Sequence, residues 1–256
     1  MHSMQTDVTA AVILAAGQGI RLGERGRHIP KGFLRLGDRP IIEESIARLS
    51  ASGITRVVIV TGHQAEFYAK LQADRATTIE LVHNPRFADS GSMYSLWSAR
   101  DYVRGTFMLL ECDLIYETRA LTSALGHPGD SVVLLSGPTG GGDEVFVETD
   151  RQGNLVGMSK AKADLGPTVA GELVGISKIS AALFQRMLEC AERRFTRTLE
   201  VAYETDTLVE AARLHPVPCV LLDDLLWAEI DDERHFLRAA AQVYPALMAK
   251  GELTVF

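Results

Sequence analysis

One stretch near the start constrains the fold more than any other: Ala11-Val-Ile-Leu-Ala-Ala-Gly-Gln-Gly-Ile-Arg-Leu-Gly23, followed by Pro30-Lys31-Gly32. Positions 11–16 are all apolar and do not alternate with polar ones. That pattern marks a strand buried on both faces in a parallel sheet. The strand breaks into Gly17-x-Gly19, where small residues let backbone N–H groups approach a ligand. Over 21–35 the chain sets Arg21, Arg25, Arg27, Lys31 and Arg35 against Glu24 alone, a local charge of +4 in a chain of net charge −7. A concentrated positive loop directly after a first buried strand points to a polyphosphate site.

Two better-known glycine loops do not fit. A dinucleotide fingerprint needs a third glycine where Leu22 stands. A P-loop needs Gly-Lys-Ser/Thr, whereas Lys31 is flanked by Pro30 and Gly32. The run Leu14-Ala-Ala-Gly-x-Gly-x-Arg21 with Pro30-Lys31 does match enzymes that move a nucleotidyl group from an NTP onto a phosphorylated acceptor.

The 256 residues, 46% hydrophobic and 23% charged, suffice for one large α/β domain. No apolar run approaches the ~20 residues that span a bilayer, so no membrane role is expected. Residues 1–9 lack a signal peptide's basic end and apolar core and read as a disordered tail, with Met4 a candidate natural start and the domain over 10–256. Cys112, Cys190 and Cys219 lie far apart, as structural thiols in a reducing cytoplasm would. The acidic balance argues against a nucleic-acid partner.

In chain order, apolar runs predict strands over 56–62, 79–82, 106–113, 131–136, 172–176, 217–222 and 226–230, and a hairpin over 144–158 that turns at 150–154. Pro218 confines its strand to an edge or a strand start. Helices are expected over 40–50, about 64–71, from Met93 through Val103, from the Ser180 cap to about 193, over 197–214, and after Asp232. Strand, helix and strand in succession make βαβ units. The fold class is α/β: one domain, a mostly parallel sheet with helices on both faces, and a small acceptor-binding subregion near 137–180.

Open α/β sheets bind ligands beyond the carboxyl ends of their strands. Asp113 ends one predicted strand, while Glu229 and Asp231, two apart and so on one face, end another. Oxygen ligands from two strand ends suit Mg²⁺.

Six blocks then occur in the order of a small cytidylyltransferase: the glycine loop, Pro30-Lys31, Thr61-Gly62, Ser92-Met-Tyr-Ser95, Leu110-Glu-Cys-Asp113 and Trp227-Ala-Glu-Ile-Asp231. The chain resembles the MobA-like and phosphocholine cytidylyltransferase group. It resembles more specifically the phosphonate cytidylyltransferases, through Pro30-Lys-Gly-Phe33, Gly91-Ser-Met-Tyr-Ser-Leu96, Gly142-Asp-Glu144, Met158-Ser-Lys160, Gly171-Glu-Leu-Val-Gly-Ile-Ser177 and the block over 223–232. The resemblance implies a single Rossmann-like, GT-A-like nucleotidyltransferase domain that transfers CMP from CTP to a small phosphonate with Mg²⁺ as cofactor. It implies that Arg21 holds the β- and γ-phosphates, and that Lys31 holds the α-phosphate and the acceptor oxyanion. Lys160 would be a second cation over the acceptor. Asp113 and Asp231 would bind Mg²⁺, with Glu229 a lesser candidate. Leu14, Ala15, Ala16, Gly17, Gly19, Gly62, Gly91 and Ser92 would form the nucleotide site. A homodimer is a candidate assembly.

For the acceptor, an ammonium head wants a carboxylate, and Asp143 or Glu172 is the expected source. A choline head would want an aromatic cage, for which Tyr94, Tyr116, Phe146 and Trp227 are the candidates. Met93, Leu96 and Trp97 read as core, and the seven histidines as surface or core residues without a catalytic role. Open alternatives are a phosphocholine cytidylyltransferase, a sugar-1-phosphate or molybdopterin-type nucleotidyltransferase, and a non-catalytic nucleotide-binding regulator on the same scaffold. A dinucleotide-dependent oxidoreductase fails on the missing glycine.

Overall fold

The computed structural model describes residues 8–71 and 77–252. Residues 1–7, most of the expected tail with its alternative start, lie outside the described residues. Val8 is already buried, and the Thr9 carbonyl accepts the Arg56 N–H at 3.1 Å, so the folded unit includes both.

Eleven strands are present among the described residues. They are β1 (Ala10–Ala15), β2 (Arg56–Thr61), β3 (Thr78–His83), β4 (Phe107–Glu111), β5 (Leu114–Tyr116) and β6 (Val132–Ser136), then β7 (Phe146–Thr149), β8 (Leu155–Ser159), β9 (Val169–Ile179), β10 (Cys219–Leu222) and β11 (Trp227–Glu229). The main sheet runs β10-β6-β9-β4-β1-β2-β3. β1 pairs parallel with β2 and β4, β2 with β3, and β10 with β6. β9 alone runs antiparallel between β4 and β6, and it carries the β7–β8 hairpin at its start. The sheet is therefore mixed, mostly parallel, and β10 lies at the edge to which Pro218 assigned it.

The period of two sorts the strands between two cores. Val12, Leu14, Val58 and Leu109 pack against helices Ser92–Ser98 and Ala181–Phe195. Ala11, Ile13, Ile59 and Met108 pack against Ile41–Ala51 and Arg119–Gly126. A third cluster closes the C-terminal helices over Ile115, Ala228 and Ile230.

Several boundaries differ from expectation. The helix begun at Ser92 ends at Ser98, short of Val103. The strand predicted to run to Asp113 stops at Glu111, turns, and resumes as β5. In place of one helix over 197–214 stands a π-helical turn, Tyr203–Leu208, that continues as α-helix to Ala212. The physical cause is the Asp206 carboxylate, which accepts the Ala202 N–H at 2.8 Å and holds the backbone before Tyr203 outside the helix. Among the described residues no helix is long and apolar enough to cross a membrane.

Candidate active site

The register of four strands builds the site. Leu14 lies opposite Glu111 across β1 and β4, and the Cys112 N–H continues the ladder to the Leu14 carbonyl at 3.2 Å. β5 then turns back and pairs antiparallel with β11, placing Leu114 against Glu229. The Ile230 N–H donates to the Asp113 carbonyl at 3.0 Å. This two-stranded ribbon, fastened by buried Ile115, Ala228 and Ile230, brings Asp113 and Asp231 together from positions far apart in the chain.

Lys31 lies between them. Its largely buried Nζ donates to Asp113 Oδ2 at 2.7 Å and to Asp231 Oδ1. Arg21, half exposed, reaches Asp231 Oδ1 at 2.8 Å and Asp143 Oδ2 at 3.1 Å. Asp143 Oδ1 faces His235 Nε2 at 3.3 Å, and Asp232 caps its helix by accepting the His235 N–H at 2.8 Å. His235 is a core histidine, but the site is where it is buried.

The acids divide into two groups. Carboxylate oxygens of Glu111, Asp113 and Glu229 all lie within 4.8 Å of one another, and so do ligand atoms of Asp143, Asp231 and His235. Glu229 therefore joins Asp113 directly, not as a peripheral acid. Burial, with Asp113 and Glu204 nearby, pushes Glu111 up to about 8. Burial, Glu111 and Asp113 push Glu229 well above the carboxylate range. Burial opposes ionisation of Asp231 too, but the Lys31 ammonium, Asp143 and Arg21 together outweigh it and hold Asp231 below the usual range. Burial likewise opposes the charge on Lys31, and Asp113 and Asp231 more than offset it, raising that lysine. Asp113 Oδ1 is buried without a partner. Crowded acids with an orphaned oxygen are a donor set that fits a hard divalent cation.

Two cavities meet here. One, of about 250 Å³, is lined by Leu14, Ala16, Gly17, Gly91, Ser92 and Lys31. Ala15 points to the opposite core. Gly19 sits at φ +63°, a conformation that glycine adopts without strain, and its carbonyl accepts the Leu22 N–H at 3.0 Å. Gly62 stands behind the cleft wall, where a Cβ would come within 2.5 Å of Phe87 Cβ. Ser92 Oγ accepts the Tyr203 N–H at 2.9 Å and donates to Glu204 Oε2 at 3.2 Å.

The second cavity, of about 70 Å³, contains Lys160, Asp143, Glu172 and Trp227. Glu111, Glu204 and Glu229 line both cavities. The two acids expected to meet an amine are already engaged, Asp143 as described and Glu172 by the Thr139 N–H and hydroxyl at 2.9 and 2.7 Å. Burial pushes Asp143 up, and Asp231 adds to the rise. Of the cage candidates, Trp227 alone reaches the cavity: Tyr94 stacks on Trp97 at 5.4 Å, Tyr116 is buried against Ser45, and Phe146 lies under Lys162. Sequence reasoning missed Glu204 and Tyr203, which line the cleft, and Arg238, which lines the second cavity. Glu111 repeats the two-residue spacing of Glu229 and Asp231, and that signal was available. Glu204 lies on an irregular turn and gave none.

The chain matches the model of the MobA-like NTP transferase domain over residues 11–243. It is 29% identical over 233 residues to CMP-5'-(3-aminopropyl)phosphonate synthase of Streptomyces rubellomurinus, covering 87% of this chain but 37% of that longer protein. It is 30% identical over 183 residues to 2-aminoethylphosphonate cytidylyltransferase of Lancefieldella rimae, covering 70% of each. In fold it superposes on the inositol-1-phosphate CTP transferase of T. maritima with a TM-score of 0.80 at 20% identity, over 96% of this chain and 97% of that one. The CTP:phosphocholine cytidylyltransferase of Streptococcus pneumoniae gives 0.74 at 19% identity, over 91% and 98%. The family match over residues 11–243 and these relatives agree: the chain belongs to the MobA-like NTP transferase family, among nucleotidyltransferases that include cytidylyltransferases.

Proposed function

We propose that this chain transfers CMP from CTP to a small aminoalkylphosphonate, 2-aminoethylphosphonate first, with release of pyrophosphate. The observation that carries the reading is a glycine-lined cleft holding Lys31 and Asp113 beside an acid-lined cavity holding Lys160, the two sharing Glu111, Glu204 and Glu229, with Lys31 bonded to Asp113 and Asp231. A phosphonate oxygen attacks the α-phosphorus of CTP; the new O–P bond forms as the bond to the β-phosphate oxygen breaks, and pyrophosphate carries away the electron pair. The acceptor is already an anion, so no side chain need act as nucleophile. Catalysis then rests on positioning and charge stabilisation.

In this reading the backbone over 14–17 and the Gly91-Ser92 turn seat the cytidine end, and Lys31 offsets charge that builds at the α-phosphate. Arg21, mobile enough at half exposure, turns from Asp143 and Asp231 to the leaving phosphates. Lys160 meets the phosphonate. Asp113, Asp231 and Glu229 are the residues that would hold Mg²⁺, which in such sites neutralises phosphate charge. The amine falls to Glu204, a half-buried acid that lines both cavities, in place of Asp143 or Glu172. A quaternary choline head is disfavoured, because a single indole is not a cage. The likeness to the Lancefieldella and Streptomyces proteins supports the phosphonate reading.

The test is pyrophosphate release with CTP, UTP or GTP against 2-aminoethylphosphonate, 2-hydroxyethylphosphonate, phosphocholine and a sugar 1-phosphate. Release that requires CTP and a small phosphonate supports the reading. A preference for phosphocholine, a sugar phosphate or another nucleotide overturns it, as does nucleotide binding without turnover.

A further inference from the structure

We propose that Lys31 is the stand-in for the divalent cation in the ligand-free protein, so that the metal enters only as the nucleotide draws Lys31 away. The inference rests on reading Asp113 and Asp231 as metal ligands, and it concerns how that site is filled. Three observations carry it. The Lys31 ammonium lies 2.7 Å from Asp113 Oδ2 and is bonded to Asp231 Oδ1, so one monovalent cation bridges the two acids. Asp113 Oδ1, beside Glu111 and Glu229, is buried and unpartnered, so that bridge leaves part of the donor set unsatisfied. Lys31 also lines the nucleotide cleft, so the ammonium need only pivot on its flexible stem to leave the acids for a phosphate.

An ammonium and a divalent ion compete for those oxygens, because Lys31 already occupies Asp113 Oδ2 and Asp231 Oδ1 and like charges a few ångströms apart repel. The metal alone is therefore opposed by a largely buried, doubly bonded lysine. A triphosphate removes that obstacle by offering Lys31 a different anion. Binding of metal and CTP is then cooperative in both directions, by linkage. Arg21 is not the obstacle: it is half exposed and bonds Asp231 and Asp143, leaving Asp113 untouched.

The experiment measures Mn²⁺ binding to the full chain without CTP, from the paramagnetic resonance signal of the free ion. It compares the wild type with Lys31→Met, which keeps the length and removes the charge. The wild type should bind weakly, and Lys31→Met should bind about tenfold more tightly or better. CTP should restore tight binding to the wild type, after subtraction of a protein-free CTP control. Equal Mn²⁺ affinity in the two proteins, or weaker binding in Lys31→Met, overturns the stand-in role while the metal reading survives. No Mn²⁺ binding to the wild type even with CTP overturns the metal reading, and the proposal with it. Circular dichroism checks that the variant folds. Should it not, wild-type Mn²⁺ affinity decides alone: a CTP-independent value refutes the proposal and a CTP-dependent rise upholds it.

Discussion

Asp113 has one oxygen bonded to Lys31 and the other buried without a partner, and Asp231 carries both Lys31 and Arg21. Each acid can be made neutral at constant shape. Asp113→Asn and Asp231→Asn should each lower kcat on the order of 10²-fold or more with the fold retained, as kinetics and circular dichroism would report. Near-normal rates would remove the metal assignment. Lys31→Ala should lower kcat by about 10²-fold, the usual loss for a preorganised charge at a reacting phosphate. Glu204→Gln should raise KM for 2-aminoethylphosphonate about tenfold, with KM for CTP and for 2-hydroxyethylphosphonate nearly unchanged, because a charge-assisted bond to ammonium contributes about 1.5 kcal/mol or more. An equal rise for both phosphonates would place Glu204 in the scaffold and not on the amine.

At the scale of elements, the β5–β11 ribbon decides whether these acids meet at all. Each strand has three residues, too short to show a period, and their pairing is a tertiary fact that no local pattern announces. The long apolar runs of β1, β2 and β4 were legible because strands buried on both faces need apolar side chains at every position. Lys31, Asp113 and Asp231 stood out as charged residues in the glycine-rich loop and near expected strand ends, and the structure brings the three into contact. Other partners were not legible. Nothing local says that Asp143 spends its charge on Arg21, that Glu172 holds Thr139, or that a π-helical turn carries Glu204 to the wall of both cavities. The ribbon is testable through Ile230, fully buried between Asp231 and Glu229. Ile230→Ala should destabilise the protein by about 2–5 kcal/mol. In denaturant titrations, CTP with Mg²⁺ should recover less stability for this variant than for the wild type, because loosened acids bind less well. Full recovery would separate the ribbon from the site.

For the whole molecule, the account is of two cavities that share a wall of acids, with Lys31 in the cleft and Lys160 in the second cavity. CTP and Mg²⁺ together should raise the melting temperature, by the stabilisation of about 2.7 kcal/mol that a ligand at 100 times its Kd confers, and Mg²⁺ alone should raise it little. A shift from Mg²⁺ alone as large as that from the pair would contradict the coupling. The most direct measurement is ³¹P NMR of the chain incubated with CTP, Mg²⁺ and 2-aminoethylphosphonate. The account predicts loss of the three CTP resonances, growth of pyrophosphate, and a pair of mutually coupled phosphonate and phosphate signals from a new P–O–P bond. Unchanged CTP and phosphonate spectra at enzyme concentrations that saturate binding would contradict it.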